Sequence, residues 1–123
     1  MNPNELRRAM QRLHGRRKVK PETEWLRYVR RRLTLAFGPH QRLIKILGGL
    51  GQEAGIADLV GVIRGRGVAL ELKTPGGRHK VSPEQSDFLE GWSAAGGFSA
   101  VIDSPEVLEE VIKNIKPLQG RLF

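Results

Sequence analysis

Two short apolar runs, each interrupted by one acid, constrain this chain more than any other feature. Residues 56–64 read Ile-Ala-Asp-Leu-Val-Gly-Val-Ile-Arg, and residues 68–74 read Val-Ala-Leu-Glu-Leu-Lys-Thr. Both are rich in β-branched and aliphatic side chains, and Gly65-Arg66-Gly67 lies between them, so the pattern predicts a β-hairpin. Asp58 and Glu71 then fall among apolar neighbours, where a carboxylate is costly unless it is paired or binds a metal. Side chains alternate along a strand, so Glu71 and Lys73 share a face. A two-residue turn at Gly65 and Arg66 sets Asp58 opposite Lys73, with Glu71 diagonal to it within about 7–8 Å. A three-residue turn, Gly65 to Gly67, sends Asp58 to the other face.

The rest of the chain supplies helices around these strands. Leu6, Met10 and Leu13 predict a short amphipathic helix over 4–14, capped by Asn2 or Asn4, and 15–21 reads as a basic linker. A second helix over 22–37 buries Trp25, Leu26, Val29, Leu33 and Phe37, and Gly38-Pro39 ends it. Residues 40–47 can form a strand, and Gly48, Gly49, Gly51 and Gly55 punctuate the loop after it. Ser82-Pro83-Glu84-Gln85 opens a helix as a capping box, with Phe88, Leu89, Trp92 and Ala95 inward. A strand over 98–102 and a last helix from Asp103-Ser104-Pro105-Glu106 follow, the latter burying Leu108, Val111, Ile112 and Ile115. This order predicts an α/β domain with a mixed four-stranded sheet flanked by helices. The strand–helix–strand stretch over 68–102 predicts a right-handed crossover and parallel pairing. With 123 residues, one domain is expected. It comprises a basic helical arm and linker over 1–20, a body over 21–116 and a tail over 117–123.

Charge is distributed unevenly along this order. Residues 1–32 hold eleven Lys/Arg and three acids, a net of +8, whereas residues 33–123 hold ten of each. Concentrated positive charge attracts polyanions, so Arg7, Arg8, Arg12, Arg16, Arg17, Lys18 and Lys20 are candidate contacts to a polyanion, such as a nucleic-acid backbone. A solvated basic face competes with that reading. A membrane-surface helix fits less well, because the segment lacks a large aromatic face. Cysteine is absent, which excludes disulfides, cysteine-ligated metals and thiol catalysis. No apolar run reaches a membrane span and no secretory signal is recognisable, so a cytoplasmic or nucleoid-associated protein is expected.

Two carboxylates converging with a lysine suit a hard cation. Oxygen ligands favour Mg²⁺ or Mn²⁺, which leave coordination positions for water and phosphate oxygen. Such an ion can polarise a phosphodiester and lower the pKa of a water nucleophile. The competing reading is an ordinary cross-strand ion pair, Asp58–Lys73 or Glu71–Lys73. The run Gly55-Ile56-Ala57-Asp58, then Glu71-Leu72-Lys73, then Ser82 with Gln85, then Gly96-Gly97, resembles the virus-type replication-repair nuclease domain (VRR-NUC). That family belongs to the PD-(D/E)xK nuclease superfamily. The likeness spans about residues 22–106, and Ala57 stands where the family's Gly-x-Pro-Asp motif has proline.

The resemblance implies a restriction-endonuclease-like core and a metal-dependent, structure-selective DNA endonuclease acting on branched DNA such as four-way junctions. It also implies a homodimer. Asp58, Glu71 and the Leu72 backbone carbonyl would bind the metal, and Lys73 would be the catalytic lysine. Gln85 would face the site, its competing role being the cap alone. The family's helix glutamate is matched by Glu22, three, four and seven residues before Trp25, Leu26 and Val29, which puts it on their face; Glu24 is rotated away, nearer Tyr28. Glu22 could equally serve as a favourable charge at its helix N-terminus. Arg78 and Lys80 could touch phosphate. His14, His40 and His79 lack metal-ligand spacing, the glycines form no P-loop, and no organic cofactor is expected. The rival readings are a catalytically silent nucleic-acid-binding module of the same fold and a structural subunit whose basic arm binds an acidic protein.

Overall fold

The computed structural model describes residues 1–17, 19–47, 55–77 and 80–115, with side chains for all of these except 13–17. Among the described residues the α-helices and strands are α1 (Pro3–Arg17), α2 (Pro21–Phe37), β1 (Gln41–Lys45), β2 (Leu59–Ile63), β3 (Arg66–Leu72), α3 (Pro83–Ala94), β4 (Phe98–Ile102) and α4 (Pro105–Asn114), with a 3₁₀ turn at Gly38–His40 between α2 and β1. The strands lie in the order β1-β2-β3-β4. β1 and β2 pair antiparallel, as do β2 and β3, and β4 joins β3 in parallel. The expected α/β class, mixed four-stranded sheet and parallel β3–β4 pairing are all present. Among the described residues, no helix is long and apolar enough to cross a membrane.

Helix caps follow the local chemistry. Asn2 Oδ1 accepts from the Glu5 N–H at 2.8 Å and Glu5 Oε2 accepts from the Asn2 N–H at 3.2 Å, which starts α1. Ser104 Oγ accepts from the Val107 N–H and starts α4. The α1 helix runs three residues past the expected boundary and through Gly15. One interior glycine costs only about 1 kcal/mol and the flanking arginines are good helix formers, so the expected linker is shorter than its composition suggested.

The sheet separates two apolar layers. On one face, α2 and α4 bury Trp25, Val29, Leu33, Leu108, Val111 and Ile115 against Leu59, Ile63, Val68, Leu70 and Ile102. Each of the fully buried aliphatic side chains contributes roughly 1.5–3 kcal/mol. The Trp25 indole N–H donates to the Ile102 carbonyl at 3.2 Å, which ties α2 to the end of β4. The α1 helix belongs to this layer, because Leu6 is buried in the same core and Met10 packs on it. On the other face, α3 covers Ala57 and Ala69 with Leu89, Phe88 and Trp92. That cover stops short of β1: Ile44 and Val62 remain exposed.

The hairpin turn sits one residue earlier than expected. Ile63 pairs with Arg66, leaving Arg64 and Gly65 as the turn, with φ of 52° and 83°. Two consecutive positive φ values match the right-handed strand twist, and this is the preferred two-residue connection. The Arg64 N–H is held by the His40 carbonyl at 2.8 Å. The shift changes the partners but not the parity. Leu59 pairs with Leu70, so the next residue outward, Asp58, comes opposite Glu71 rather than Lys73. Asp58 also lies just outside the ladder, because β2 begins at Leu59 and not at residue 56.

Candidate active site

The end of the sheet where β1 and β3 finish and β2 begins collects the charged residues. Three constraints bring Asp58 there. Gly55 adopts φ +80°, and a Cβ on it would lie 2.4 Å from the Glu84 carbonyl carbon and 2.7 Å from the Gln85 nitrogen. Only glycine allows the chain to cross the first turn of α3 this closely. Ala57, in the position where the resemblance has proline, is buried with Ala69 and Leu89. The Asp58 carbonyl accepts from the Ile46 N–H at 2.8 Å, and its Oδ2 accepts from the Leu72 N–H at 2.8 Å. The aspartate therefore bridges the ends of three strands.

Glu71 is the costly member of the group. Its side chain is 2% exposed, and Oε1 is buried without a hydrogen-bond partner among the described residues. Its carboxyl is raised from 4.5 to about 7, first by burial and then by hydrogen bonding to and repulsion from Asp58, with the Lys73 ammonium offsetting part of the rise. Lys73 Nζ lies 3.5 Å from Glu71 Oε2 and donates to Gln85 Oε1 at 3.3 Å. The same Gln85 oxygen accepts from the Ser82 N–H at 3.0 Å, while Ser82 Oγ accepts from the Gln85 N–H at 3.1 Å. Gln85 is thus cap and site residue at once. One carbonyl oxygen starts α3 and holds the lysine.

Two adjoining cavities, of about 180 and 270 Å³, meet at these residues. The lobe on the α3 side is bordered by Glu71, Lys73 and Gln85. The lobe on the α2 side is bordered by Lys45, Thr23, Trp25 and Leu26. Asp58, Glu22, Leu72 and Thr74 border both.

The expected site residues fall into three groups. Asp58, Glu71, Leu72, Lys73 and Gln85 come together. Glu22 reaches the rim of both lobes from the first turn of α2 but is exposed, not on the buried face with Trp25 and Val29. The buried acid of that helix is Glu24, 6% exposed, in a groove with Leu6, Met10 and Tyr28. Burial reaches it because α1 lies over α2 and widens the covered arc. The basic residues are the third group. Arg8, Arg12, Lys20 and Lys80 are exposed, and Arg7 pairs with Glu106 at 3.6 Å. The Arg16 and Arg17 side chains, Lys18 and Arg78 lie outside the described residues. Two further arginines of the basic quarter serve the fold: Arg32 pairs with Glu109 and Arg30 donates to the Leu43 carbonyl.

The sequence reading missed Lys45, whose Nζ lies 3.5 Å from Asp58 Oδ1. Nothing in the 40–47 run distinguishes that lysine from an ordinary strand residue. The Gly55 crossing had a signal, a glycine three residues before the acid, whose physical role emerges only with α3 in place.

The donor set fits a divalent ion to a defined extent. A buried carboxylate oxygen without a donor, next to a second carboxylate, is the environment a hard cation relieves. Among the described residues, no three His, Cys, Asp or Glu side chains are grouped so as to hold a metal. Two carboxylates with water and substrate oxygens completing the shell is a coordination mode of Mg²⁺. Comparisons of the chain with family models, with curated proteins and with solved structures return no match.

Proposed function

We propose that this chain is a metal-dependent DNA endonuclease of the virus-type replication-repair kind, with a restriction-endonuclease-like core, acting on branched DNA such as four-way junctions. The observation that carries the reading is the meeting of Asp58 with Glu71, which has a buried oxygen without a donor among the described residues and the Lys73 ammonium 3.5 Å from its other oxygen. A surface ion pair would not place a desolvated carboxylate beside a second one, since the arrangement costs stability without a cation.

In this reading Asp58, Glu71 and the Leu72 carbonyl would hold Mg²⁺ or Mn²⁺, which would supply Lewis acidity towards the phosphodiester and a water nucleophile. Asp58 is oriented by the Leu72 N–H. Lys73, gripped by Glu71 and Gln85, hydrogen-bonds the attacking water and offsets negative charge as the phosphorane-like transition state forms. Glu22, at the rim, orients water entering from the α2 side. Arg8, Arg12, Lys20 and Lys80 contact phosphates, which positions the DNA without reading its sequence. A two-fold dimer supplies two such sites for paired incisions.

The test uses the full chain with duplex, flap and four-way junction DNA, in Mg²⁺, Mn²⁺ or EDTA, with its oligomeric state measured by light scattering. Cutting should require the metal. Asp58→Asn, which keeps an acceptor for the Leu72 N–H, and Lys73→Ala should each lower the rate by about 10³-fold or more, with binding within a few-fold. Equal cutting by Asp58→Asn rejects the assignment. Salt-sensitive binding with no cutting by the wild-type chain leaves the silent binding module.

A further inference from the structure

We propose that Lys45 is a second phosphate-binding lysine of this site, one that is held on Asp58 until a divalent cation takes its place. The inference rests on the nuclease reading and extends it to a residue that neither the motif nor the charge pattern singles out.

The geometry is specific. Lys45 ends β1 and pairs with Leu59, and the Ile46 N–H to Asp58 carbonyl bond fixes the spacing of the two chains at that point. Lys45 Nζ donates to the Ile46 carbonyl at 3.0 Å and stands 3.5 Å from Asp58 Oδ1. Asp58 Oδ2 is engaged by the Leu72 N–H, so Oδ1 is the oxygen offered to a cation. The two lysines flank the carboxylate pair from opposite sides. Lys73 stands in the α3-side lobe and Lys45 in the α2-side lobe. They differ in freedom, since the Lys73 side chain is 17% exposed and that of Lys45 is 37% exposed.

An ammonium and a divalent cation repel each other and cannot both sit on Oδ1. Asp58 is anchored through its backbone and its other oxygen, so the long, flexible lysine is the group that moves. Displaced from Asp58, its ammonium remains in a lobe walled by Trp25 and Leu26 with the hydroxyl-bearing Thr23 and Thr74. A negative group entering beside the metal would meet it there, and on the nuclease reading that group is a phosphodiester at or next to the scissile one. Metal binding thereby turns an internal counter-ion into a substrate contact.

The experiment compares wild type, Lys45→Ala and Lys45→Arg as full chains, each checked by thermal melt. Mn²⁺ affinity is titrated without DNA. Junction binding is measured against salt in EDTA and in Mg²⁺, in a Lys73→Ala background that prevents cutting. Removing the competing ammonium should tighten Mn²⁺ binding by roughly 3–10-fold. It should also lower the log–log salt slope by about one in Mg²⁺ while leaving it unchanged in EDTA. Lys45→Arg should restore the slope. Unchanged Mn²⁺ affinity and slope, with wild-type cutting intact, overturns the role of Lys45 and leaves the nuclease reading standing. A slope lowered equally in EDTA overturns the exchange. A wild-type chain that neither binds Mn²⁺ nor cuts removes both.

Discussion

The two ends of the same sheet solve opposite problems. At the hairpin end, Arg64 and Gly65 close β2 onto β3, and the Arg64 N–H finds the His40 carbonyl. The strain is a single non-glycine residue at positive φ. At the other end, three strands converge on Asp58, Glu71, Lys45 and Lys73, and a buried oxygen of Glu71 lacks a donor among the described residues. Backbone geometry alone accounts for the first end. The second carries an electrostatic cost at Glu71 that backbone geometry does not explain, and on the proposed reading a bound cation would offset it.

The largest effect that could break this contrast is at Glu71. Glu71→Gln keeps the shape, removes a desolvated charge and lets the new amide donate to Asp58. Cleavage should fall by about 10³-fold or more. The metal-free protein at pH 8 should become more stable by about 1–3 kcal/mol. Chemical denaturation and a cleavage assay on the same preparation check both. A variant that loses stability would mean that the charge is structural, and the two ends would no longer differ in kind.

The sequence reached the hairpin end and half of the site for one reason, which is parity. The turn was expected at Gly65-Arg66, within the glycine-flanked stretch 65–67, yet the chain places Arg64 at positive φ and turns one residue earlier. Both turns contain two residues, so the faces are conserved and Asp58 still meets Glu71, only two positions along from the expected partner Lys73. Gln85 was legible because the capping box is local. Lys45 was not, because its approach to Asp58 depends on the pairing of β1 with β2 across a long connection. Glu24 was misjudged because its burial comes from α1, a helix that reads as an arm and in fact buries Leu6 in the core.

Titration of the carboxylate end sharpens the contrast further. The Glu71 carboxyl sits at about 7 in the folded chain against 4.5 ordinarily, so between these values the folded state binds the extra proton. Stability is then greatest below pH 4.5 as far as this group is concerned, falls as pH rises to about 7, and is level above. The span is at most about 3 kcal/mol. Metal-free melts from pH 5 to pH 8 should show that decline, and Glu71→Gln should flatten it. Mg²⁺ should restore stability at pH 8 and do little at pH 5, where the proton occupies its ligand. A metal effect equal at both pH values would place the ion elsewhere.

The ends should also differ towards DNA. Lys20 precedes α2 and Lys80 precedes α3, both exposed at the carboxylate end, whereas Arg42 and Arg64 are exposed at the hairpin end. Replacing Lys20 and Lys80 together with glutamine should weaken junction binding by about tenfold in low salt and lower the salt slope by about two. Replacing Arg42 and Arg64 together should change affinity by less than about twofold. The reverse result would run the nucleic acid along β1 towards the turn, with Ile44 and Val62 beneath it.

The smallest effect tests whether the hairpin end is purely conformational. Arg64 holds φ 52°, a region that disfavours residues with a Cβ by roughly 1 kcal/mol. Its side chain is exposed, and its N–H bond to His40 survives any substitution but proline. Arg64→Asn or Arg64→Gly should therefore stabilise the chain by about 0.5–1 kcal/mol, less for glycine because the unfolded chain gains freedom. Cleavage, metal affinity and the salt slope should not move. A loss of stability would show that the arginine side chain does more than the backbone requires. The charge distribution along the sheet, rather than turn geometry, would then have to explain why this residue closes the hairpin.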